Sequence, residues 1–151
     1  MELAKFIVKA KKDTYASGKK AQKLEDGSER FTFEEGDLKY QDTYFAFDNE
    51  FDGAFFGTEI FWNKGKMCWC MNYYGQVNSQ NVSTQEVYAL LRKAISVVSE
   101  DKPFRGPAHL KERDFEYRDE SAGDVNQFKG TEKILHKGME VYRLEYHGGK
   151  I

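Results

Sequence analysis

The chain has 151 residues, 40% hydrophobic, 15% aromatic and 32% charged, with a net charge of −2. A chain of this size buries a core without staples, and the lack of a basic excess argues against direct nucleic-acid binding. No apolar run approaches membrane-spanning length, so no membrane role is expected.

The first predicted element is a helix over residues 2–13, because Leu3, Phe6, Ile7 and Ala10 fall on one helical face. This start is amphipathic and unlike a signal peptide. Lys9, Lys11, Lys12, Lys19, Lys20 and Lys23 precede Glu25, Asp26 and Glu29, and they read as a solvated face and loop. Thr14-Tyr15-Ala16-Ser17-Gly18 opens a polar stretch to Arg30, expected to be either disordered or a functional lid. Strand-like runs follow at about 38–47, 54–62 and 66–75, the last two joined by a tight turn at Asn63-Lys64-Gly65.

Cys68 and Cys70 lie in the third run. Two residues apart, with no companion pair, they suit neither a disulfide nor a zinc set, and are expected as reduced thiols of a cytoplasmic protein. A second helix starts at the capping box Ser83-Thr84-Gln85-Glu86, buries Val87, Leu90, Leu91 and Ala94, and should end before Pro103. Pro103-Phe104-Arg105-Gly106-Pro107 is a stiff connector. Three more runs follow at about 110–119, 125–136 and 139–147, with a turn at His136-Lys137-Gly138.

The chain also resembles itself. Gly57-Thr58-Glu59 recurs as Gly130-Thr131-Glu132, and Lys64-Gly65 as Lys137-Gly138, both at an offset of 73. At that offset Trp69 to Gly75 lies against Tyr142 to Gly148. Asp37-Leu38-Lys39-Tyr40-Gln41-Asp42 matches Asp114-Phe115-Glu116-Tyr117-Arg118-Asp119 at an offset of 77. The expected fold is therefore α+β: one domain over 1–151, an internally duplicated αβββ-αβββ with halves at about 1–80 and 81–151. Its antiparallel sheet should carry two helices on one face.

Glu59 and Glu132 occupy matching places in the two halves. A two-residue turn would set Glu132 opposite Arg143. A three-residue turn with a Gly bulge, which the Lys-Gly order favours, would set Glu59 opposite Trp69 and Glu132 opposite Tyr142. Beside aromatic rings on an open sheet face, such a carboxylate would receive a cationic or hydrogen-bonding ligand. The alternative is a solvent-facing strand Glu. Tyr73 and Tyr74 are adjacent and point oppositely, so one of them turns away from the helices. Tyr15 and Arg105, from matching connectors, are expected to close over the same cleft. His109, His136 and His147 have no metal-ligand spacing.

Several motifs together resemble a bacterial family known as domain of unknown function 5680. They are Thr14-Tyr15-Ala16, Gly36 to Tyr40, Asp42-Thr43-Tyr44, Met71 to Gly75, Phe104-Arg105-Gly106-Pro107 and Tyr146-His147-Gly148-Gly149. The resemblance covers nearly the whole chain and implies no established activity. Family members joined to helix-turn-helix regulators imply a sensing or partner-binding role. At the level of fold alone, the paired halves are similar to gyrase-inhibitor-like ligand-sensing domains, although this chain begins with its helix.

The leading expectation is a cytoplasmic small-molecule-binding or sensor domain with its cleft between the halves. The expected ligand-binding residues are Glu59, Glu132, Trp69, Tyr142, Tyr73, Tyr15, Arg105 and His147. A second expectation is a protein-interaction or regulatory module acting through an aromatic sheet face, including a homodimer. A third is an enzyme using a Glu with a Tyr or His147. No catalytic set, metal site or cofactor is read from the sequence, and the balance leans away from an enzyme.

Overall fold

The computed structural model describes residues 2–151. Helix α1 spans Glu2–Asp13, as its apolar stripe predicts, and a 3-10 turn at Tyr15–Ser17 follows. Helix α2 spans Thr84–Ser96. Its capping box is formed: Glu86 N–H donates to Ser83 Oγ at 3.2 Å, and Ser83 N–H donates to the Glu86 carboxylate at 3.0 Å.

Nine strands form one antiparallel sheet: β1 Gln22–Lys23, β2 Glu29–Glu35, β3 Leu38–Asp48, β4 Asp52–Asn63, β5 Lys66–Asn78, β6 His109–Glu112, β7 Phe115–Asp124, β8 Gln127–His136 and β9 Met139–Lys150. The order is β1-β2-β3-β4-β5-β9-β8-β7-β6. Each half is thus a meander from an edge to the centre, where β5 and β9 pair with Tyr73 opposite Tyr146.

The expected three strands per half are four or more. The run read as one strand over 110–119 is a hairpin: β6 and β7 turn at Arg113 and Asp114, where Arg113 has φ 53°. In the first half, β1 and β2 occupy part of the stretch read as irregular. Phe31 and Phe33, which alternate with polar residues there, supply β2's helix-facing positions.

Both expected hairpin registers are also corrected. The loops are two residues long, with both central residues at positive φ: 51° and 75° at Lys64 and Gly65, 49° and 79° at Lys137 and Gly138. This is the type I′ geometry that matches strand twist. A bulge then adds Cys68 to β5 and Val141 to β9. The extra residue moves Glu59 opposite Met71 and Glu132 opposite Leu144.

One sheet face carries the core. Tyr40, Phe61, Trp69, Met71, Tyr117, Ile134, Tyr142 and Leu144 are buried there with Ile7, Ala10, Leu91 and Ile95 of the helices. Phe6 of α1 packs 5.2 Å from the Phe61 ring, and Trp69 stacks on Phe128 at 5.5 Å. The tyrosines of this face need room, and glycines on the neighbouring strands provide it. A Cβ at Gly57 would meet the Tyr73 hydroxyl and the Thr43 carbonyl, and one at Gly130 would enter the Tyr146 ring.

Gly130→Ala is therefore expected to destabilise the protein by about 1–3 kcal/mol, the usual cost of overpacking. Urea denaturation reads this as a lowered midpoint; an unchanged midpoint would contradict the close packing.

Candidate functional site

Among the described residues, four buried side chains of the strands are charged. Asp42 on β3 pairs with Glu59 on β4, and Asp119 on β7 pairs with Glu132 on β8. All four carboxylates are buried, Glu59 at 2% exposure and Glu132 at 0%. The expectation of an open or solvent face for the two glutamates is thereby corrected: the alternation of β4 and β8 turns them under the helices, and the bulges in β5 and β9 set Met71 and Leu144 opposite them.

Among the described residues, the buried cations are only Lys11 and Arg105. Lys11 was grouped with a solvated lysine face, yet it lies one turn beyond Ile7 on the buried stripe of α1. Its Nζ sits 2.8 Å from Glu59 Oε2 and 3.0 Å from Oε1, and it also donates to the Phe104 carbonyl. The Lys11 ammonium thus lies against both oxygens of the Glu59 carboxylate. Burial lowers the Lys11 pKa, and Glu59 opposes that shift.

Arg105 grips Glu132 with two N–H groups at 2.9 and 3.0 Å. Tyr142 donates to the same carboxylate at 2.7 Å, and Tyr117 donates as well. Burial works against the Arg105 charge, but Glu132 outweighs it and holds the guanidinium above its ordinary range.

Asp42 and Asp119 have no cation bound to them. Asp42 accepts from the Tyr73 hydroxyl at 2.6 Å, and Asp119 from Tyr146 at 3.0 and 3.2 Å. Burial, then repulsion by Glu59, pushes the Asp42 carboxyl up to about 7 against the pull of Tyr73, Lys11 and Arg105. Burial, then Glu132, pushes Asp119 up to about 7.

A cavity of about 210 Å³ opens onto the Asp42–Glu59 side of this cluster. Asp42, Glu59, Lys11, Arg105, Tyr40 and Tyr73 line its polar side, and Phe55, Leu91 and Ile95 line its apolar side. Tyr15, Tyr44, Tyr88 and Arg92 complete it with Glu29, Ala46 and Asp48. Arg92 lies 5.9 Å from the Tyr15 ring centroid, and Tyr88 donates to Asp48 at 2.5 Å. Burial pushes the Tyr15 hydroxyl up to about 12 and raises Tyr44 and Tyr88 as well, so these phenols stay protonated. The volume is below the roughly 300–1,000 Å³ of drug-sized pockets, which favours a small occupant.

Glu59, Tyr73, Tyr15 and Arg105 thus come together, with residues of both halves around one cavity. Glu132 and Tyr142 stand outside its lining, holding Arg105 in place. Trp69 is fully buried against Phe128, away from the lining, because the bulge places it opposite Phe61. His147 lies exposed on the helix-free face, since its neighbour Tyr146 takes the inward position. The stretch after Thr14 is neither a free lid nor disordered: its 3-10 turn places Tyr15 at the cavity and its strands extend the sheet.

Sequence reasoning missed Lys11 and Asp42. Both had a signal, Lys11 by continuing the apolar stripe and Asp42 by its match to Asp119. Tyr88 and Arg92 had none. No group of three or more His, Cys, Asp or Glu among the described residues has metal-binding geometry. No helix among them is long and apolar enough to cross a membrane.

Fold and site together define an α+β domain with a charged cluster buried between sheet and helices and open at one end to a cavity. Residues 42–151 match a family described as Domain of unknown function (DUF5680), and the chain belongs to that family. No curated protein and no solved structure matches it.

Two stability measurements check this arrangement. Lys11→Met strands the Glu59 charge and is expected to cost about 3–5 kcal/mol; adding Glu59→Gln should recover part of that loss. Additive losses in urea denaturation would show that the pair is not coupled. Asp42 and Asp119 bind protons more tightly folded than unfolded. Their stabilising contribution is complete below the ordinary carboxyl value of 3.8 and is lost as pH rises towards about 7. Stability should therefore fall between about pH 4 and pH 7, less steeply in Asp42→Asn and Asp119→Asn; a slope indifferent to both substitutions would contradict the assignment.

Proposed function

We propose that this domain binds a small molecule in the cavity between α2 and strands β3–β5, and that it serves as a ligand-binding or sensor domain. The observation that carries the reading is the composition of the cavity wall. Buried charged groups are costly wherever they do not serve stability, and here they meet a space large enough for a ligand and edged by aromatic rings. Residues from both halves contribute, so an occupant would bridge α2 to the first meander and stabilise their packing.

A second reading is association of two copies through the helix-free face. It is favoured by Phe47, Phe56 and Tyr74, which are 65%, 44% and 50% exposed on or beside that face of the first half. Phe45 stacks on Phe56 at 5.3 Å in the same region. The same face of the second half carries Arg118, Glu120, Lys129, Arg143 and Glu145. A monomer by light scattering at high concentration would remove this reading.

The cavity is tested by a thermal-shift screen of metabolite-sized compounds, run on the wild type and on Ala46→Trp. Ala46 is exposed at the cavity edge, so a Trp there should narrow the entrance without disturbing the core. A ligand at about a hundred times its Kd adds about 2.7 kcal/mol, a shift of several degrees. Compounds that stabilise the wild type and not Ala46→Trp are expected. Hits that Ala46→Trp leaves intact, or no hit at all, would contradict the cavity reading.

A further inference from the structure

The buried cluster is short of positive charge. Among the described residues, Asp42, Glu59, Asp119 and Glu132 are buried with only Lys11 and Arg105. Each cation is committed to one glutamate, Lys11 to Glu59 and Arg105 to Glu132. Asp119 does not line the cavity, whereas Asp42 does. Asp42 is 8% exposed, and the one hydrogen bond its carboxylate accepts comes from Tyr73. Next to it, Glu59 also lines the cavity, its Oε2 buried 2.8 Å from the Lys11 ammonium. Asp42 therefore faces the cavity with acceptor capacity to spare and no cation of its own. Among the described residues, an incoming anion would find both buried cations engaged and only the exposed Arg92 at the rim without a carboxylate partner.

Resting on the cavity reading, we propose that the ligand is a small primary amine in its ammonium form, held by Asp42 beside the Glu59–Lys11 pair, in the place of the missing third cation. An ammonium brings three N–H donors and one positive charge, which answers both deficits at once. The amine's organic part would lie against Phe55, Leu91 and Ile95, with the tyrosine faces favouring a nearby cation.

Binding exchanges a proton for the ligand. Asp42 must be ionised to hold the ammonium, and it gives up its proton to solvent as the amine enters. The groups that set this exchange are Lys11 from α1, Tyr15 from the 3-10 turn, Tyr40 and Tyr44 from β3, Glu59 from β4, Tyr73 from β5, Arg92 and Tyr88 from α2, and Arg105 from the connector; Glu29 of β2 stands further out, beside Tyr44. Lys11 and Arg105 repel an incoming cation, but their glutamates offset them. With a carboxyl raised to about 7, affinity for an alkylammonium increases as pH rises from about 5 to about 8.

The test uses three probes of one shape on the whole chain: benzylamine, benzyl alcohol and benzoate, by titration calorimetry. Benzylamine should bind about tenfold or more tightly than the alcohol at pH 8, and lose that advantage in Asp42→Asn. It should also release protons, read as a binding enthalpy that differs between phosphate and Tris buffers near neutral pH. Asp42→Asn keeps an acceptor for Tyr73, and Tyr73→Phe gives a second check: losing its hydrogen bond should move the pH profile for benzylamine upward and leave the alcohol unchanged. Alcohol or benzoate binding as well as the amine would overturn the amine inference and leave the cavity standing. No binding of the amine at millimolar concentration would also overturn it, with the cavity then judged by the Ala46→Trp screen. Amine binding that survives Ala46→Trp would overturn both, because the site would lie elsewhere.

Discussion

Four carboxylates share the space between sheet and helices with two cations, and the architecture of the site follows from how that imbalance is met. Glu59 and Glu132 take the cations. Asp42 and Asp119 take a tyrosine hydroxyl each and hold their protons towards neutrality. The two sides have the same membership: Tyr40, Asp42, Gly57, Glu59 and Tyr73 in one, Tyr117, Asp119, Gly130, Glu132 and Tyr146 in the other. In each, the glycine leaves space for the tyrosine whose hydroxyl reaches the aspartate across β4 or β8. The cations differ, Lys11 from a helix and Arg105 from a proline-bounded connector, and so does the space around them.

That difference sets the two sides of the cluster apart. In the second half, Arg105 and Tyr142 both donate to Glu132, and Phe104 stacks on Phe128 at 4.0 Å. In the first half, Lys11 delivers a compact ammonium to Glu59, and the cavity lies beside Asp42. A buried ion pair adds little stability over apolar packing, so its retention beside an opening is more readily explained by binding than by folding.

Much of the fold was legible in the sequence because it is written in short-range patterns. The helix at Glu2–Asp13 and the capping box at Ser83 depend on spacing within a few residues. The Lys-Gly turns carry their own φ requirement. The bulges at Cys68 and Val141 were not legible, since nothing in either residue announces an unpaired position. They set Met71 and Leu144, in place of the expected Trp69 and Tyr142, opposite Glu59 and Glu132, whose burial follows from the alternation of β4 and β8. Lys11 was hidden by its composition: six lysines in a short stretch read as one solvated face, although only Lys11 continues the Leu3–Ile7 stripe. The role of Asp42 depends on what does not reach it, and an absent partner leaves no mark in sequence.

The account stands most directly on the proton held by Asp42. Carbon-13 NMR of the aspartate side-chain carboxyls, followed from pH 4 to pH 9 with Asp42→Asn and Asp119→Asn as assignments, measures it. Two carboxyls titrating near pH 7, one lost in each variant, are the expected result. Both titrating close to the ordinary 3.8 would mean that the cluster is not short of a cation, and the reading of the cavity would lose its physical basis.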